Sequence, residues 1–292
     1  MRRSLEGLAL GDAIGRALRI SPTVGDPSFD APPWPYTDDT EMAIAIADML
    51  AARGHIEQDE LARSFAARFD ANPFRGYGTM AFWILRQISA GHDWRGAAAQ
   101  VFGGRGSYGN GAAMRVAPLG AYFADDLPQL IHEAILSAAV THAHPEGQVG
   151  AVATALAAAT AAARPDADRS SLVEIARRLP ACDVQHLLMR AAQLANASPR
   201  EAGALLGTGI QVSAQDTVPF ALWCAFGHLR DYRAAQLAAM AGFESGASDR
   251  DTICAIVGGV VAMSCAESTI PADWVAQQEP LPEGPAATSL GC

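Results

Sequence analysis

Tyr36-Thr37-Asp38-Asp39-Thr40-Glu41 runs directly into Met42-Ala43-Ile44-Ala45-Ile46-Ala47-Asp48-Met49-Leu50. Hydroxyl and carboxylate side chains followed by an apolar stretch predict a helix over about residues 41 to 53, entered through a mouth crowded with oxygen. Far downstream a similar phrase returns as Ser248-Asp249-Arg250-Asp251-Thr252, leading into the apolar run Ile253 to Met263. Ordinary helix capping explains part of this, since Asp38 with Glu41, and Ser248 with Asp251, have capping-box spacing. A cap uses one side-chain oxygen, however, whereas Thr37, Asp38 and Asp39 set three together, and Asp249, Asp251 and Thr252 three more. Neighbouring carboxylates repel one another unless a cation lies among them. Ligation by oxygen alone favours a hard ion, Mg²⁺ or Mn²⁺, over Zn²⁺. Four carboxylates suit a pair of such ions about 4 Å apart, because one carboxylate can bridge both. The two helix mouths are therefore expected to face each other across one metal site.

Upstream, Leu5 to Leu18 has helical period with Gly7, Gly11 and Gly15 four apart, a stripe along which a second backbone can approach closely. Asp12 beside that stripe needs a donor or a cation. Residues 20 to 35 form a Pro- and Gly-punctuated loop. Helices are expected at about 58 to 69 and 77 to 90, separated by Asn72-Pro73. Phe102 to Arg115 is glycine-rich, and its backbone N–H groups can cradle a phosphate, with Phe102 or Tyr108 available to stack on a base. It matches neither a Walker A loop nor a Rossmann turn. Ile131 to Val140 reads as a helix ended by Thr141-His142-Ala143-His144-Pro145, where one histidine is better suited to hydrogen-bond a ligand than to hold a metal. Further helices are expected at 149 to 163, 172 to 178, 184 to 195, 199 to 206 and 220 to 229.

No stretch shows convincing strand alternation, so the chain reads as all-α, a single compact domain over residues 1–268 followed by a Pro-rich tail, 269–292, poorly ordered or draped on the surface. With 292 residues, half of them hydrophobic, it can bury a sizeable core. The net charge of −10 removes the basis for general nucleic-acid or anionic-membrane binding. Five scattered cysteines without a CxxC read as reduced thiols in a cytoplasmic protein. The uncharged run Val149 to Ala163 is too short to span a bilayer and reads as a buried helix.

Taken together and in order, Gly11-Asp12-Ala13-Ile14-Gly15, Thr37-Asp38-Asp39-Thr40, Gly106-Ser107-Tyr108-Gly109-Asn110-Gly111-Ala112-Ala113-Met114-Arg115, Thr141-His142 and Asp249-Arg250-Asp251-Thr252 resemble the ADP-ribosylglycohydrolase family. That group contains dinitrogenase-reductase-activating glycohydrolase and the ADP-ribosyl-acceptor hydrolases. The resemblance runs from about Leu5 to Cys265. It implies an all-α fold with a dinuclear Mg²⁺ or Mn²⁺ centre at the base of an ADP-ribose cleft. Thr37, Asp38, Asp39, Asp249, Asp251 and Thr252 would be the metal ligands. Gly106, Ser107, Tyr108, Gly109 and Asn110 would wrap the pyrophosphate and nearby ribose, Phe102 and Tyr108 would flank the adenosine, and His142 would sit near the distal ribose.

The chain departs from the pattern at one place. Several family members carry a Glu just after the first Gly-Asp motif, where it acts on the attacking water, and here Arg16-Ala17-Leu18-Arg19 has no carboxylate. The base role then falls to Asp38 or Asp39. The expected function is metal-dependent hydrolysis of the glycosidic bond between ADP-ribose and an acceptor, a modified protein side chain or small molecule, with ADP-ribose as product. The alternatives are a catalytically weakened ADP-ribose-binding relative and a hydrolase of another ADP-ribosyl or phosphoribosyl compound.

Overall fold

The structure, a computed structural model, describes residues 1–19, 28–243 and 248–284. The first part of the expected 20–35 loop, Pro285 and Cys292 lie outside the described residues. Among the described residues fifteen α-helices follow one another: α1 (Arg2–Ala17), α2 (Asp38–Arg53), α3 (Gln58–Ala71), α4 (Thr79–Ser89), α5 (Trp94–Gly104), α6 (Ala117–Tyr122), α7 (Leu127–Ala139), α8 (Pro145–Ala163), α9 (Leu172–Ala176), α10 (Asp183–Gln193), α11 (Pro199–Leu206), α12 (Val218–Gly227), α13 (Tyr232–Ala241), α14 (Arg250–Val261) and α15 (Ala272–Gln277). The sole sheet among the described residues is a two-residue antiparallel ribbon, β1 (Leu18–Arg19) with β2 (Ser28–Phe29). The fold is all-α, as the sequence predicts.

Helices α2, α8, α12 and α14 are buried on nearly every side, which is why their apolar residues form runs without a marked polar face. Small residues carry much of this: Ala151, Ala153, Ala155, Ala157 and Ala158 on α8 are all inaccessible. Helix α2 ends on Gly54 in the left-handed region, and α11 starts on a true capping box, Ser198 with Glu201.

The packing of α1 determines the position of the site. A Cβ built on Gly7, Gly11 or Gly15 would collide with the backbone at Gly258, Cys254 and Arg250 respectively. The stripe on α1 therefore lies antiparallel against α14 at near backbone contact. Ser4 Oγ donates to the Gly259 carbonyl at 2.7 Å, and Gln236 Nε2 to the Cys254 carbonyl at 3.0 Å. The adjacent face of α1 carries Asp12 to the mouth of α2. Its Oδ2 accepts from the Thr37 N–H (2.8 Å), the Thr40 N–H (3.2 Å) and the Thr40 hydroxyl (2.6 Å). One helix thus holds both acidic mouths, α14 by its glycines and α2 by its carboxylate.

The described part of the tail packs on this body. Trp274 is buried, Trp34 pairs with Gln278, and Glu279 grips Arg75 through both carboxylate oxygens at 2.6 and 2.8 Å.

Candidate active site

A cleft of about 460 Å³ opens between the mouths of α2 and α14, the N-terminal half of α4 and the glycine-rich loop. It is lined by Asp38, Asp39, Asp249, Asp251 and Thr252 on one side, and by Phe102, Ser107, Tyr108, Gly109, Asn110 and His142 on the other. These distant segments of sequence are thus brought to a single cavity.

Thr37 and Gly106 stand behind the lining. Thr37 is the N-cap of α2, its hydroxyl accepting from the Asp39 N–H at 3.3 Å. The capping-box spacing of Asp38 with Glu41 is not used, because Glu41 turns instead to Arg68 (3.0 Å) and Arg75 (3.4 Å). Nor is that of Ser248 with Asp251: α14 is capped at Asp249 without a side-chain bond, and Ser248 bonds the Thr208 hydroxyl at 3.3 Å. Gly106 has φ +75°, and a Cβ there would lie 2.7 Å from the Ala143 Cβ and the His144 N, so this turn admits glycine alone.

The carboxylates carry an unusual electrostatic load. Asp12, Asp38, Asp39, Asp249 and Asp251 take part in none of the ion pairs among the described residues. Burial, with Asp251 nearby, pushes the Asp12 carboxyl up to about 7 despite its three donors. Asp38 and Asp39 are held well above the ordinary carboxylate range, first by burial, then by neighbouring acids, Asp251 foremost for Asp38 and Asp12 for Asp39. Burial, and then Asp251, raises Asp249 to about 8, although Asn110 Nδ2 donates to it at 2.7 Å. Asp12 Oδ1 and Asp39 Oδ2 are buried without any partner. Orphaned acceptors and mutually repelling carboxylates in an oxygen-only setting fit a hard divalent cation. No three His, Cys, Asp or Glu side chains among the described residues form a ready-made cage.

The glycine-rich stretch follows α5, whose last turn departs from helical geometry at Val101, Phe102 (φ +54°) and Gly103. The ring of Phe102 is 41% exposed and lies 5.5 Å from that of Tyr108. Not all the loop's N–H groups are available to a ligand. Gly106 N–H donates to the Val101 carbonyl, Gly109 N–H to Ser107 Oγ and Asn110 N–H to the Val212 carbonyl. No acceptor for the adjacent Ser107 and Tyr108 N–H groups is found among the described residues. The segment 207–217 is zipped onto this loop by a bridge between Gly109 and Ser213, which brings Gln211 and Val212 to the cleft. Of the two histidines, His142 lines the cleft, while His144 caps α8 through Nδ1 (3.1 Å from Glu146 N) and meets the edge of Tyr108.

Several residues of the site carry no signal in local sequence. The wall from α4, Met80, Ala81 and Ile84, belongs to an ordinary amphipathic helix, and Gln211 and Val212 lie in an unpatterned loop. For Val212 the one trace is its positive φ of +51°, a strain visible only in three dimensions.

A family model described as ADP-ribosylglycohydrolase matches residues 1–289. ADP-ribosylhydrolase ARH3 of Danio rerio is 28% identical over 94% of this chain and 84% of its own. The Homo sapiens protein of the same name is 33% identical over 53% of this chain, and that match spans only about half its length, 48%. A solved structure titled ADP-ribosylglycohydrolase-related protein complex superposes with a TM-score of 0.59, at 21% identity, over 95% of this chain and 92% of its own.

Proposed function

The chain belongs to the ADP-ribosylglycohydrolase family, and from that premise we propose that it hydrolyses the glycosidic bond joining ADP-ribose to an acceptor, with two Mg²⁺ or Mn²⁺ ions as cofactors. The observation that carries this reading is the meeting of two sequence-distant acidic mouths, whose aspartates form no ion pair among the described residues, beside a glycine-rich loop in one cleft. Asp38, Asp39, Asp249 and Asp251, with the Thr37 and Thr252 hydroxyls, would hold the ions. When bound, the ions supply Lewis-acid polarisation at the reacting end of the substrate.

The chain's own groups divide the remaining work. The Ser107 and Tyr108 N–H pair suits a pyrophosphate oxygen, and the Phe102 and Tyr108 rings suit the purine. His142 faces the distal ribose. Asp38 or Asp39 takes a proton from water as its oxygen bonds to the anomeric carbon. The bond from that carbon to the acceptor breaks with its electron pair on the acceptor, through a transition state of oxocarbenium character. Asp251→Ala is expected to abolish divalent-dependent release of ADP-ribose from a modified protein while leaving the circular dichroism unchanged. An unaltered rate in that variant would rule the assignment out.

One observation favours a second reading, a relative that binds ADP-ribose without cleaving it. Arg16 to Arg19 offers no carboxylate, and Arg19 is committed to an ion pair with Asp30 across the β1–β2 ribbon. Calorimetric binding of ADP-ribose, with no turnover on Arg-, Ser- or nucleic-acid-linked substrates in Mg²⁺ or Mn²⁺, would select it.

A further inference from the structure

At the floor of the cleft lies a guanidinium that forms no ion pair among the described residues, although Asp38 is near enough to favour its charge. Arg115 is 1% exposed and ranks among the largest fully buried side chains of the described residues. Its Nη1 rests 3.4 Å from Met42 Sδ, and its plane lies over the Phe65 ring at 4.5 Å. Nη2 donates to the Ser137 carbonyl at 3.1 Å and to Thr141 Oγ1 at 3.0 Å, while Nε has no acceptor. Burying such a charge is costly, and burial lowers the Arg115 pKa to about 9, Asp38 opposing the shift.

Thr141 Oγ1 also lies 2.7 Å from His142 Nδ1, and both residues are buried. Arginine can only donate, so one lone pair of Oγ1 is engaged by Arg115. The hydroxyl proton must then find its own acceptor, and among the described residues the one within reach is His142 Nδ1. Were Nδ1 to carry a proton instead, two N–H groups would converge on Oγ1 and the hydroxyl proton would be buried unmatched. The doubly protonated ring is opposed as well: burial, followed by the positive Arg115, pushes His142 down to about 3. The proton of the neutral ring then sits on Nε2. That edge faces Gly109 and Gly111, on either of which a Cβ would lie 3.3 Å from Nε2.

We infer that Arg115 and Thr141 are positioning residues that lock His142 in its Nε2–H form, so that the ring presents a hydrogen-bond donor to an acceptor oxygen of the ligand. On the reading above, on which this rests for the ligand's identity, that oxygen belongs to the ribose. The site would then discriminate against sugars lacking an acceptor there, because the buried N–H would be left unpaired.

The test starts from the ligand-free protein. Long-range ¹H–¹⁵N spectra of the histidines, with His142 identified by its loss in His142→Gln, are expected to show one protonated Nε2 and one bare Nδ1. Thr141→Val, which keeps the shape and removes the hydroxyl, should yield a mixture of tautomers and bind ADP-ribose about tenfold more weakly. Thr141→Ser should restore both. A protonated Nδ1 in the wild type, or a Thr141→Val protein with an unchanged tautomer and unchanged affinity, would overturn the inference. If the wild type binds no ADP-ribose, the functional reading fails, and the tautomer of the free protein still decides this one.

Discussion

Asp12 is the residue on which the rest of the site leans. It is fully buried, accepts three hydrogen bonds from the mouth of α2, and retains one oxygen with no partner. Together with Asp249 it fixes how the protein in a chelating buffer should respond to pH. The folded values, about 7 and about 8, lie above the 3.8 of an ordinary aspartate. Between these limits the folded chain therefore holds protons that the unfolded chain has released, and stability falls as pH rises through the window. In EDTA the melting temperature is expected to decline from about pH 5 to about pH 8, and saturating Mg²⁺ should reduce that decline. A flat or rising profile in EDTA would show that these carboxylates are not burdened as described.

At the scale of elements, the contact between α1 and α14 is the hinge of the account. Gly11→Ala should cost about 1–3 kcal/mol by urea unfolding, because the added methyl meets the Cys254 carbonyl and the two backbones must part. Gly96→Ala on α5, where a Cβ meets nothing within 4 Å, should be neutral or slightly stabilising. Equal losses in the two variants would remove the close-packing argument. This stripe was legible in sequence, because a four-residue glycine spacing reports one helix face directly. The oxygen-rich mouths of α2 and α14 were legible for a similar reason: three such side chains in a row exceed what a cap requires. The partner of Asp12 was not, since Thr37 and Thr40 reach it only after α1 and α2 have packed. Helices α6 and α13 also lack a signature. The first is a single Pro-started stretch of six residues, and Tyr232–Ala241 is alanine-rich, without the longer apolar period that marks α2 or α8. Arg115 shows the limit most clearly, for nothing in Ala112-Ala113-Met114-Arg115 says that the guanidinium turns inward onto Phe65 and Thr141.

For the whole molecule, charge and topology act together. No helix among the described residues is long and apolar enough to cross a membrane, and the formal net charge is −10. The C-terminal segment takes part in the architecture through Glu279, whose grip on Arg75 steadies the loop that accepts the Asp38 N–H at the Arg75 carbonyl, 2.9 Å away. Asp12 of α1, Arg75 and Glu279 thus converge on the mouth of α2. We propose that this convergence holds a pair of hard divalent ions. Titration with Mn²⁺, followed by the paramagnetic resonance of the free ion, tests it most directly. Two ions bound per chain, with binding lost in both Asp38→Ala and Asp251→Ala, is the predicted result; no binding by the native protein, or binding unaltered in both variants, would contradict it.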